Sequence, residues 1–62
     1  DMKVLRISSY DGAIDTVSAA DWEDMSKDID ESVEEGLVEI HDGPDGILNY
    51  VFEEDMFLVI PD

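Results

Sequence analysis

Sixty-two residues carrying 18 acidic side chains, three basic ones and a formal net charge of −15 make one domain at most. That charge repels polyanions and so excludes nucleic acid and anionic membrane surfaces as direct ligands. The absence of cysteine and the single histidine, His41, exclude a disulfide framework and a His/Cys zinc site.

A chain this short stays marginal unless its apolar residues are concentrated. They are: 44% of the residues are apolar and they recur in clusters, which a disordered acidic tail would lack. Residues 3–9 open the chain as a strand around Val4, Leu5 and Ile7. Asp11-Gly12 is a hairpin turn signal, and 13–17 reads as the returning strand. Ser18 then has the character of a helix N-cap, and Ser18 to Asp21 has capping-box spacing. Trp22, Met25, Ile29 and Val33 recur at helical spacing, and Gly36 suits a left-handed C-cap. The helix is expected over 19–35.

Residues 37–41 form the next strand, with Val38 and Ile40 on one face. Asp42 to Gly46 is dense in turn formers. Residues 47–53 return, with Leu48, Tyr50 and Phe52 on the face that joins Val38 and Ile40. Glu53, Glu54 and Asp55 break the run, and 56–60 is apolar at every position. Such a strand is expected in the centre of the sheet, buried on both faces, or covered across a homodimer. The sum is an α+β fold in the order ββαβββ, with one amphipathic acidic helix packed on a mainly antiparallel sheet. Asp1 ahead of Met2 reads as an addition, so the domain is taken as 2–61.

Eight of the 18 acids fall between Asp21 and Glu35. With Trp22, Ile29 and Val33 against the sheet, Asp24, Asp28, Glu31 and Glu35 form one outward stripe at spacing i, i+4, i+7, i+11. Glu23, Asp30 and Glu34 form a second beside it, and Lys27 is the sole interruption. An ordinary solvated helix face mixes Lys with Glu, because like charges at i, i+4 destabilise by a few tenths of a kcal/mol. Eight charges over roughly 22 Å of helix approach, within a factor of about two, the linear charge density of a DNA duplex.

Other chemistry fails on specific residues. Asp28, Asp30, Ser32, Glu34 and Glu39 fall at the ligand positions of a calcium loop. Its obligatory Gly is Val33, part of the helix stripe. No nucleophile motif surrounds Ser8, Ser9 or His41, so neither catalysis nor a cofactor is expected. No stretch reads as a secretory leader or a membrane span.

The expectation is a small cytoplasmic, phage or mobile-element type inhibitor. It would act as a nucleic-acid mimic, with those seven acids on the basic DNA- or RNA-binding surface of a target protein. Trp22 or Tyr10 is available as an aromatic anchor. An immunity protein or antitoxin neutralising a basic toxin shares the physics. A salt-adapted domain would carry the same acidity with no site. Uncompensated charge also sets a measurable property: the denaturation midpoint should rise between low and moderate monovalent salt as self-repulsion is screened. A flat response would mean that the carboxylates are compensated locally, and a requirement for molar salt would favour salt adaptation.

Overall fold

The computed structural model describes residues 2–62. Strands β1 (Lys3–Ser8) and β2 (Ile14–Val17) precede helix α1 (Ala19–Glu34), and β3 (Glu39–Asp42), β4 (Leu48–Phe52) and β5 (Asp55–Ile60) follow it. All pairings are antiparallel, in one sheet of order β2-β1-β5-β4-β3. The fold is therefore the expected ββαβββ α+β domain. The last strand inserts between β1 and β4, so the run at 56–60 is central. No helix among the described residues is long and apolar enough to cross a membrane.

The helix starts and stops where local chemistry requires. Ser18 is extended, and its Oγ accepts a hydrogen bond from the Asp21 amide at 3.1 Å, satisfying one of the free N–H groups of the first turn. At the other end Gly36 adopts φ 77°. Its amide donates to the Val33 carbonyl at 3.0 Å, and that of Leu37 donates to Ser32 at 2.8 Å. A β-carbon at Gly36 would meet open space, so the demand for glycine is conformational.

Trp22 and Ile29 face the sheet and are buried, while Met25 and Val33 are half-buried on either side. Beneath them lie Val4, Val17, Val38 and Phe57, which complete the core. Trp22 meets Tyr50 edge-on at 5.8 Å and Phe57 at a tilt at 5.7 Å, binding the helix to both β4 and β5.

Strand periodicity decides what each face of the sheet carries. Val4, Val17, Tyr50, Phe57 and Val59 point to the helix. Their neighbours point away from it, and the register aligns them in rows. One row runs Ile14, Ile7, Met56, Val51, Glu39, and the next runs Thr16, Leu5, Leu58, Asn49, His41. Among the described residues nothing covers this second face. The expectation that 56–60 is buried on both faces is thus met on one side only: Phe57 is buried, while Met56 and Leu58 are partly exposed. One helix is about 10–12 Å wide and closes one face of a five-stranded sheet, not two.

The turns differ from expectation in detail. Asp11-Gly12 closes a five-residue loop between Ser8 and Ile14, not a two-residue hairpin. The Gly12 amide donates to the Ser8 carbonyl and the Asp11 carboxylate accepts from the Ala13 amide, both at 2.9 Å. Conversely, Glu53-Glu54 is a two-residue hairpin turn, and Asp55 belongs to β5, paired with Phe52 and Ser8.

Ile29, 1% exposed, is the most deeply buried large side chain. Ile29→Ala should cost about 2–5 kcal/mol, against a total stability of roughly 3–9 kcal/mol for a chain of this size. Ser18→Ala should cost about 1 kcal/mol. Urea titration of the three proteins checks both, and equal midpoints would show that α1 does not hold the core.

Candidate functional site

Burial of Trp22 and Ile29 dictates where every carboxylate of α1 goes. At about 100° per residue, Lys27 and Glu31 point most directly away from the sheet. Asp24, Asp28 and Glu35 descend one flank, and Glu23, Asp30 and Glu34 the other. All seven acids are exposed, as is Lys27. The surface is therefore broader than two parallel stripes: it wraps the whole solvent side of the helix, with Lys27 as a single cation inside it. Among the described residues, none of these carboxylates enters a side-chain hydrogen bond or an ion pair. The polar side-chain contacts seen elsewhere include Arg6, whose guanidinium pairs with Asp15 at 3.6 Å across β1 and β2, and His41, whose Nε2 lies 3.3 Å from the Glu39 carboxylate on β3.

Asp28 occupies a more specific place than an outward stripe. It stands at the flank of α1 above the β4–β5 hairpin, at the edge of a shallow depression of about 160 Å³. Met25, Ile29, Phe52 and Phe57 supply its apolar floor, and Asp28, Glu53 and Asp55 its charges. Sequence reading missed Glu53 and Asp55, taking them only as breakers between two apolar runs. The available signal was their position: in a two-residue hairpin, Asp55 shares a face with Phe52 and Phe57, and that face meets the helix. Glu53 sits at φ 57°, a conformation that side chains other than Gly and Asn seldom adopt.

The aromatic candidates separate cleanly. Trp22 is 8% exposed and belongs to the core, which removes it as an anchor. Tyr10 is 88% exposed on the β1–β2 loop, and that loop is tied to the β4–β5 hairpin: the Ser9 amide donates to the Glu54 carbonyl at 2.9 Å. Tyr10 and the hairpin acids thus lie at the same end of the sheet. The residues at calcium-loop spacing, Asp28 to Glu34, are helical, so they form no loop. Among the described residues no group of His, Asp and Glu is placed to hold a metal ion. The chain matches no protein-family model, no curated protein and no solved structure.

The strained hairpin separates the charge of Glu53 from its backbone cost. Glu53→Gly should stabilise the fold by about 1 kcal/mol, because Gly adopts positive φ freely. Glu53→Ala, which removes the charge and keeps the strain, should fall well short of that. Equal thermal midpoints for the two variants would show that charge relief, not backbone geometry, governs the site.

Proposed function

We propose that this protein is a small acidic inhibitor that occupies the basic nucleic-acid-binding surface of another protein. The supporting observation is the unpaired acidic surface of α1, interrupted only by Lys27 and continued by Asp28, Glu53 and Asp55 around an apolar depression. A helix of 16 residues is a rod of about 24 Å bearing a charge every 3 Å or so. A groove lined with Lys and Arg to hold phosphates meets similar spacing on such a rod. Lys and Arg side chains have long aliphatic stems and charged tips. The depression suits both parts: Met25, Phe52 and Phe57 receive the stem and the carboxylates the tip. The contact is steric and electrostatic, with no covalent step. Long-range attraction steers encounter and sets the association rate.

The seven helix acids, with Glu53 and Asp55, form the contact surface in this reading, and Tyr10 is the exposed aromatic beside it. The target is identified by its chemistry, a basic groove that also accepts DNA or RNA. An immunity-type protein directed at a basic toxin would use the same charges without competing with nucleic acid.

Two experiments separate these readings. Asp28→Lys with Glu31→Lys should leave the fold intact and slow association with a captured basic protein by about tenfold or more. It should also flatten the loss of affinity between about 50 and 200 mM salt. Duplex DNA or RNA should displace the wild-type protein from that partner. Binding that survives both the charge reversal and excess nucleic acid would refute occlusion. Displacement by charge reversal alone would identify the immunity-type reading.

A further inference from the structure

The face of the sheet turned away from α1 has the opposite character from the rest of the molecule. Ile7, Met56 and Val51 lie side by side across three strands, with Leu5 and Leu58 directly behind them. None of these belongs to the helix-side core, and each remains partly open to solvent. Ile14, at the β2 end of the first row, is 64% exposed. Of the open-face strand positions only Glu39 carries a carboxylate, at the far edge, where His41 pairs with it. Lys3 offsets it. A chain of net charge −15 therefore keeps one face near neutral. The Oδ1 of Asn49, in the second row beside Leu58, is shielded from solvent and has no hydrogen-bond partner among the described residues.

We infer that a second copy of this chain packs on that face, sheet against sheet, to form a two-fold symmetric dimer. This goes beyond the role of the acidic helix and stands independently of it. The first argument is charge. Sheets pack face to face about 10 Å apart, and each helix lies roughly 10 Å outside its own sheet. The two acidic helices are then on opposite outer surfaces, about 30 Å apart, several times the screening length of about 8 Å at physiological salt. The geometry that buries the apolar faces is the one that separates the charges.

The second argument is area. Strands of four to six residues, at about 3.3 Å rise and 4.8 Å spacing, present about 400 Å² of face per copy, or roughly 800 Å² in the pair. That is the size of a weak, reversible contact, not of a permanent one. The face is also self-complementary. β5 is the middle strand and Leu58 sits midway along it, so a two-fold axis there superposes the two apolar centres. An interface of this size gives a reversible dimer whose population rises with concentration and, because residual repulsion is screened, with salt.

Sedimentation equilibrium on the wild-type chain, up to about 1 mM, should show a monomer–dimer equilibrium shifted to dimer by added salt. Leu58→Lys should weaken it at least tenfold. Leu37→Ser, at an exposed apolar residue outside the face, should leave it unchanged. Trp22 fluorescence confirms that each variant is folded. Should Leu58→Lys fail to fold, Ile7→Thr, which keeps the β-branched shape, carries the comparison with a several-fold weakening expected. A wild-type chain monomeric at every concentration and salt level would overturn the dimer. So would a dimer that persists undiminished in the folded face variants.

Discussion

The packing of α1 through Trp22 and Ile29 onto Val4, Phe57 and their neighbours is the contact on which everything else in this molecule depends. Among the described residues it is the one place where a core closes. The domain has no disulfide, and among the described residues no metal site adds to it. That contact also fixes the two outer surfaces. By turning the apolar stripe of the helix inward it turns the carboxylates out, and by covering one face of the sheet it leaves the other bare. A polar side and an apolar side follow from one packing decision.

The electrostatic consequences run against stability. Like charges at i, i+4, such as Asp24 with Asp28 and Asp30 with Glu34, repel along the helix. Glu34 and Glu35 stand at the negative end of the helix dipole, with no basic residue in the last turn. What offsets them is local and geometric: the Ser18 cap, the Gly36 reversal and the aromatic contacts of Trp22. Selection for stability alone would place Lys where several of these acids stand. The arrangement makes sense if negative potential on that side has a use, and the near-neutral open face shows that the acidity is not spread evenly.

Much of this was legible from local patterns. The helix boundaries follow from Ser18, the 22-25-29-33 stripe and Gly36, each a signal acting within one or two turns. Strand parity correctly grouped Leu48, Tyr50 and Phe52 on the helix side. The placement of 56–60 at the centre was readable because an apolar strand makes a poor edge. What could not be read was tertiary. Which face of the strand stays open depends on how many layers cover it, and a linear pattern does not encode the number of layers. Asp28, Glu53 and Asp55 come from two elements far apart in sequence. Only the packing angle of α1 on the β4–β5 hairpin brings them to one depression, so each looked like an ordinary surface acid or turn residue.

The fold sorts its surface into an acidic side and an apolar side, and the partners proposed for the two are different. Amide chemical-shift mapping of the labelled protein tests this most directly, by dilution and then by addition of an Arg-rich peptide. Dilution should move the amides around Ile7, Val51, Met56 and Leu58. The peptide should move those of α1 and the Glu53-Glu54 hairpin, in a set that does not overlap the first. Peptide-induced shifts scattered evenly over all acidic residues, or dilution shifts on the helix, would contradict the account.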